Sequence, residues 1–159
     1  MPTGVSITFT NLQGLGITVE DLADKKINRI LNLTADIHIL LDTRCTEGQI
    51  DHFLNTRRFK YLLSNFDKVG SYTKSKGIIM VFNKKKIKIE DLSIIQEGML
   101  ISFKLIVQNE EIRILGCYAP SSGDDPEFFH QCNETLDQST ETHGILLGDL
   151  NTTLDPILD

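Results

Sequence analysis

Residues 77–118 read GIIMVFNKKKIKIEDLSIIQEGMLISFKLIVQNEEIRILGCY, and they decide the architecture. Gly77-Ile78-Ile79-Met80-Val81-Phe82 is a strong apolar strand, closed by the charged run Lys84-Lys85-Lys86. Ile87 to Ile95, Leu100 to Val107 and Glu111 to Tyr118 read as three further strands. The last two are joined at the turn Gln108-Asn109-Glu110. That connection is too short for a helical crossover, so it is a hairpin. A run of hairpin-linked strands does not occur in a purely parallel doubly wound sheet.

Upstream, Val5 to Thr10 alternates apolar and polar residues, as a strand with one buried face does. Thr18 and Asp21 resemble a capping box with Asp in place of Glu, and Leu22, Ile27, Ile30 and Leu31 then form a helical stripe to about Leu33. Ile37 to Asp42 is apolar at nearly every position, which predicts a strand buried on both faces. Glu47 to Arg57 predicts a helix with Ile50, Phe53 and Leu54 on one face, and Tyr61-Leu62-Leu63 a short strand. Downstream, Ala119 to Gly123 is a loop, and Asp125-Pro126 starts a helix with Pro in its first turn. Phe129, Cys132, Asn133 and Leu136 follow at helical spacing, and His143 to Leu150 reads as a buried strand. The order predicts a mixed-sheet, layered α/β sandwich in one domain over 1–159, with no repeat or linker. The final strand would present an open apolar edge, so the domain is expected to be incomplete at its C-terminus.

Hydrophobic residues make up 40% of the chain, enough for a core, and the longest apolar runs are too short to span a bilayer. No membrane partner is expected. Three cysteines, Cys45, Cys117 and Cys132, contain no C-x-x-C pair, which argues against a disulfide framework or a zinc cluster. With no secretory leader pattern at Met1-Pro2-Thr3-Gly4, the expectation is an intracellular protein with reduced thiols. The net charge is −6, but it is unevenly spread: +4 over residues 1–108 and −10 from Asn109 onward. The first part suits phosphate and the second a cation, although ordinary solvated faces explain such charges equally well. Lys74, Lys76 and Lys84 to Lys88 are in the same position: a DNA backbone contact or, more simply, a solvated edge.

Three polar clusters close apolar strands: Asn11 with Gln13, Asp42-Thr43-Arg44, and Asp149 with Asn151. Strand ends are where open α/β sheets place ligands. A carboxylate after five apolar positions is costly unless paired, hydrogen-bonded or bound to a metal. Each cluster alone also fits a cap or an Asx-turn, and Tyr118 alone fits core packing.

Taken in order, Asn11-Leu12-Gln13-Gly14-Leu15, Asp36 to Arg44, Lys76 to Val81, Tyr118-Ala119-Pro120 and Gly148-Asp149-Leu150-Asn151 resemble the DNase I-like endonuclease/exonuclease/phosphatase superfamily. The likeness is greatest to the apurinic/apyrimidinic-type endonuclease domains of LINE-type retrotransposons, and it runs from about Val5 to Asp159. The resemblance implies Mg²⁺-dependent (or Mn²⁺-dependent) hydrolysis of a DNA phosphodiester. It implies Asp42 and Asn11 at a metal, Asn11 and Asn151 at phosphate, and Asp149, Tyr118 and Asn151 in catalysis. Asp42 stands where the family carries Glu, shorter by one methylene. The family's terminal S-D-H segment has no counterpart: His38, His52, His130 and His143 all lie elsewhere. Weak turnover or none is therefore expected, because such sites act as units. The other readings are an inactive half-domain that binds, pairs with a missing C-terminal half or self-associates, and a phosphatase of the same superfamily.

Overall fold

The computed structural model describes residues 4–16, 20–31, 35–56, 64–121, 125–139 and 143–152. In chain order the elements are β1 (Ile7–Asn11), α1 (Glu20–Leu31), β2 (Ile37–Leu41), α2 (Glu47–Leu54), β3 (Phe66–Ser71) and β4 (Ile78–Asn83). They continue with β5 (Lys88–Gln96), β6 (Leu100–Val107), β7 (Glu110–Tyr118), α3 (Pro126–Asp137) and β8 (His143–Asp149). The strands form two four-stranded sheets, β1-β2-β4-β3 and β5-β6-β7-β8. Each sheet is mixed, with one parallel pair, β1 with β2 in the first and β7 with β8 in the second. The remaining pairs are antiparallel: β4 with both β2 and β3 in the first sheet, and the hairpins β5–β6 and β6–β7 of residues 77–118 in the second.

The period-2 alternation of the strands sorts the side chains into layers. Ile37, Ile39, Leu41, Ile78, Met80 and Phe82 from the first sheet meet Ile101, Phe103, Leu105 and Ile114 from the second. The opposite residues of the same strands, Leu40 and Ile79, pack under Ala23 and Ile27 of α1 and Ile50 and Phe53 of α2. Leu100, Leu115 and Cys117 pack under Phe128 and Cys132 of α3. The result is helix, sheet, sheet, helix. β2 is buried at every position because it is covered on both faces, as its nearly continuous apolar run predicts.

Four details differ from the sequence reading. The stripe of α1 is Ala23 and Ile27, not Leu22, which is 43% exposed; the side chains of Ile30 and Leu31, like Thr18, lie outside the described residues. On α3, Phe129, Cys132 and Leu136 pack against the core as read, Phe128 joins them as the most buried residue, and Asn133 is exposed. β3 carries the polar sequence Phe66-Asp67-Lys68-Val69-Gly70-Ser71 and sits at a sheet edge, so no apolar alternation marks it. The strand expected at Tyr61-Leu62-Leu63 lies outside the described residues. β8, expected to be buried, is an edge strand: its positions are exposed or half-exposed, with Ile145 at 38%. Leu146 packs partly under α3 and Leu147 partly between the sheets, while the edge of the strand is left open among the described residues. β1 is the facing edge of the other sheet, and Phe9 there is 53% exposed.

α2 begins with a full capping box, Thr46 with Gln49, which satisfies two of the orphan N–H groups at its start. The three cysteines are free and buried, and burial pushes the Cys117 thiol up to about 12, so it is inert packing material at neutral pH. No helix among the described residues is long and apolar enough to cross a membrane.

The start of the first sheet is pinned by Asp36. Its carboxylate accepts hydrogen bonds from the Ser6 amide and hydroxyl, both at 3.1 Å, and from Lys86 Nζ at 2.9 Å. The Lys86 bond, followed by the Ser6 bonds, holds the Asp36 carboxyl below its usual range, against the opposing effect of burial. A carboxyl with a depressed folded pKa binds fewer protons folded than unfolded. Its contribution is therefore fully present above the unfolded pKa of about 3.9 and is lost as pH falls through the lower folded value. Asp36→Asn should cost about 1–2 kcal/mol near neutrality, and the gap from wild type should close as pH is lowered toward 3. Urea unfolding across that range reads it, and a gap that does not change with pH would contradict the assignment.

Candidate active site

The C-terminal ends of the two parallel strand pairs, β1 with β2 and β7 with β8, carry Asn11, Asp42, Tyr118, Asp149 and Asn151, the candidate site residues. The backbone ladder continues past the strands into the loops that hold them. Leu12 N donates to Leu41 O at 2.9 Å, Gly14 N to Asp42 O at 2.7 Å and Leu15 N to Thr43 O at 2.8 Å. On the other side Thr43 N donates to Gly77 O at 3.2 Å and Arg44 N to Lys76 O at 2.7 Å. Gly77 permits that approach: its φ is +123°, and a Cβ there would lie 2.5 Å from Thr43 Oγ1. Lys26 Nζ, from α1, donates to the carbonyls of Leu12 and Gly14 and ties down the loop after β1.

Two polar groups result. In the first, Asn11 Nδ2 donates to Asp149 Oδ2 at 3.0 Å, joining the first sheet to the second across 138 positions of sequence. Asn11 Oδ1 accepts from the Gln13 amide at 3.0 Å, and Asp149 Oδ1 from the Asn151 amide at 3.0 Å. Asn151 Nδ2 donates to Ala119 O at 2.7 Å. One of its two amide hydrogens is thus spent on the chain, and Asn151 orients Asp149 as much as it faces outward. Ala119 N donates to Asp149 O at 2.8 Å, which locks Tyr118-Ala119-Pro120 beside β8. Asn11, Asp149 and Asn151 border a hollow of ≈ 430 Å³ together with Phe9 and Leu41.

The second group is Asp42, Arg44 and Tyr118. Arg44 Nε donates to Asp42 Oδ1 at 2.9 Å and Arg44 Nη2 to Asp42 Oδ2 at 2.7 Å, a two-point fork onto a carboxylate only 2% exposed. The bonds to Asp42 raise the Arg44 guanidinium above its ordinary value. Burial first, and then the Asp42 charge, raise the Tyr118 phenol, with Asp149 adding to the effect. Tyr118 is therefore a protonated donor at neutral pH, and it feels both carboxylates. This group borders a second hollow, of ≈ 300 Å³, with Ser75, Lys76 and Ser121.

Gln13, Asp42, Arg44 and Asn151 all have positive φ, at 49°, 53°, 51° and 45°. For non-glycine residues this is a strained region, of order 1 kcal/mol each, and such strain gathers where a site needs it. The structure thus brings Asn11, Asp149 and Asn151 into one network and Asp42 and Tyr118 into another beside it. The sequence reading names Arg44 within the Asp42-Thr43-Arg44 cluster and Lys76 among lysines that suit a DNA backbone or a solvated edge, and gives neither a site role. Their spacing, Arg44 two residues after Asp42 and Lys76 just before Gly77, is the signal that places them at the strand ends.

No histidine reaches these strand ends among the described residues. His38 is buried within β2, where its Nδ1 shares a 2.8 Å hydrogen bond with Thr8 Oγ1, and burial lowers its pKa. His52 and His130 are exposed on α2 and α3, and His143 begins β8 at the end opposite Asp149.

No family model matches the chain. Solved structures do match its fold. A Danio rerio TDP2 complexed with single-strand DNA product has a TM-score of 0.67 at 13% identity, over 92% of this chain and 60% of that one. An AP endonuclease from Archaeoglobus fulgidus has 0.64 at 16%, over 97% and 60%. The 3′ phosphatase NExo from Neisseria, bound to a product DNA hairpin, has 0.59 at 14%, over 93% and 58%. The chain thus spans about three fifths of the length of these neighbours, and its two mixed sheets with flanking helices have the fold of the DNase I-like nucleases and phosphatases.

Proposed function

We propose that these strand ends are part of a phosphodiester-hydrolysing site that acts on DNA, of the retrotransposon endonuclease type. The observation that carries the reading is the Asn11–Asp149 hydrogen bond between the two sheets, with Tyr118 beside it. Asp149, with both oxygens already oriented by Asn11 and Asn151, is built to orient a water and take its proton. Tyr118, kept protonated, is a donor for a non-bridging phosphate oxygen, and the free hydrogen of the Asn151 amide is another.

Mg²⁺, or Mn²⁺ in its place, is the cofactor the resemblance implies, with Asp42 and Asn11 as its ligands. Their arrangement does not fit that ion. Both Asp42 oxygens are held by Arg44, Asn11 Oδ1 is held by the Gln13 amide, and the described residues contain no group of three metal-binding side chains. No step is therefore assigned to a metal. With neither a histidine nor an open carboxylate for a cation at these strand ends among the described residues, turnover by residues 1–159 alone should be slow.

A second reading, a binding module without turnover, draws on the same closure of Asp42 by Arg44. The open β1/β8 side, with Phe9 and Ile145 exposed, favours pairing there with a further segment or a second copy. The deciding experiment is nicking of supercoiled plasmid and of an abasic-site duplex, with Mg²⁺, with Mn²⁺ and with chelator. Asp149→Ala is the control, and a 3′-phosphorylated oligonucleotide tests the phosphatase alternative. Nicking lost in Asp149→Ala supports the hydrolase. Folded protein that binds DNA but never cuts it supports the module.

A further inference from the structure

The geometry points to a metal-independent phosphate cradle built by Arg44 and Lys76, with the Arg44 guanidinium as the resident cation of Asp42. The inference rests on the phosphodiester reading of the same strand ends and assigns residues that the reading does not use. Arg44 and Lys76 are locked side by side by the 2.7 Å bond between Arg44 N and Lys76 O. Both side chains border the ≈ 300 Å³ hollow, together with the hydroxyls of Ser75, Tyr118 and Ser121. Among the described residues that line it, these two cations face one carboxylate, Asp42, so the lining carries net positive charge in a chain of net charge −6.

The fork to Asp42 uses Nε and one Nη2 hydrogen of Arg44, and a guanidinium has five N–H donors in all. Three hydrogens remain beyond the fork; the guanidinium also meets the Tyr118 hydroxyl, and the side chain is 50% exposed, which leaves donors for a ligand in the hollow. Lys76 Nζ has only a soft contact, with Met99 Sδ at 2.9 Å, and sulfur is a weak acceptor. The partner this chemistry recognises is a tetrahedral phosphate oxyanion, whether in a nucleic-acid backbone or free. Asp42 then acts as a positioning residue: it holds the guanidinium plane fixed and offsets part of its charge. That arrangement moderates affinity, which suits a site that releases product.

The test is equilibrium binding of a labelled single-stranded 12-mer in EDTA, followed by fluorescence anisotropy at several salt concentrations. Inorganic phosphate and a 3′-phosphorylated dinucleotide serve as competitors. Arg44→Gln and Lys76→Gln should each weaken binding about tenfold, and each should reduce the salt slope by about 0.7. Arg44→Lys should recover only part of the loss, because an ammonium lacks the fork. Asp42→Asn should tighten binding in EDTA, since it frees the guanidinium. Competition by the dinucleotide but not by inorganic phosphate identifies backbone or terminal phosphoester as the source, and equal competition identifies free phosphate. Unchanged affinity in both Gln variants would overturn the cradle, as would binding that requires Mg²⁺ and is lost in Asp42→Asn. These readouts are made without catalysis, so failure of the hydrolase proposal leaves them interpretable.

Discussion

Gly148→Ala is expected to destabilise the protein by about 3–5 kcal/mol, enough to consume much of the stability of a domain this size. Gly148 is paired with Cys117 in the parallel ladder of β7 and β8 and has φ +152°. A Cβ at that position would lie 1.8 Å from Cys117 O, 2.7 Å from its carbonyl carbon and 2.9 Å from its Sγ. The obstacle is backbone, so no rotamer change relieves it, and the strands have to part. At Gly77 the nearest atom is a threonine side-chain oxygen at 2.5 Å, and Gly77→Ala should cost less because that group can turn. Parting β7 from β8 also breaks the Ala119–Asp149 bond and shifts Asp149 away from Tyr118. Loss of stability and loss of hydrolysis should therefore arrive together. Urea unfolding of Gly148→Ala measures the first, and a change below about 1 kcal/mol would show that the ladder accommodates a methyl group.

That glycine shows what kind of information the sequence carries. Gly148-Asp149 at the end of an apolar run announces a strand terminus, and the order of strands and helices, with hairpin-linked strands in the middle, was enough to anticipate a layered α/β sandwich. β2, β4, β6 and β7 were legible because their apolar runs are buried by sheets and helices that the chain itself supplies. β3 was not legible. An edge strand half in solvent can be Phe-Asp-Lys-Val-Gly-Ser without penalty, and its pairing with β4 is written only in backbone hydrogen bonds. β8 misled in the opposite direction. Ile145-Leu146-Leu147 records a surface suited to being covered, while its position at the sheet edge depends on which elements are present to cover it.

The candidate site divides in the same way. Asp42, Tyr118, Asp149, Asn151 and Asn11 were recognisable as polar residues closing apolar strands. Their grouping was not. Asn11 and Asp149 meet only because the two sheets stack with β1 over β8. The Asp42–Arg44 fork depends on positive φ at both residues, which neither residue type announces. Periodicity reports faces, and nothing in it reports a turn that folds residue i+2 back onto residue i. This is why Asp42 read as an open ligand for a cation, whereas in the structure a cation already sits on it.

The inter-sheet bond yields the second large prediction. If Asn11 and Asp149 act as one unit, Asp149→Ala should lower plasmid nicking by about 10³-fold and Asn11→Ala by about 10²-fold, with the double variant no worse than Asp149→Ala alone. Their contribution to stability should be small, below about 1 kcal/mol, because the bond lies in an exposed setting where water replaces either partner. The two measurements discriminate between roles. A structural tie between sheets would show in unfolding, with hydrolysis falling only as far as folded protein is lost. A positioning role would show in rate at constant stability, with the double-variant cycle far from additive. Strict additivity of the two rate effects would mean that Asn11 contacts phosphate by itself and that its bond to Asp149 is incidental. Non-additivity would place the origin of the carboxylate's orientation in the opposite sheet, 138 positions away, so that catalysis at Asp149 depends on the packing of the whole sandwich.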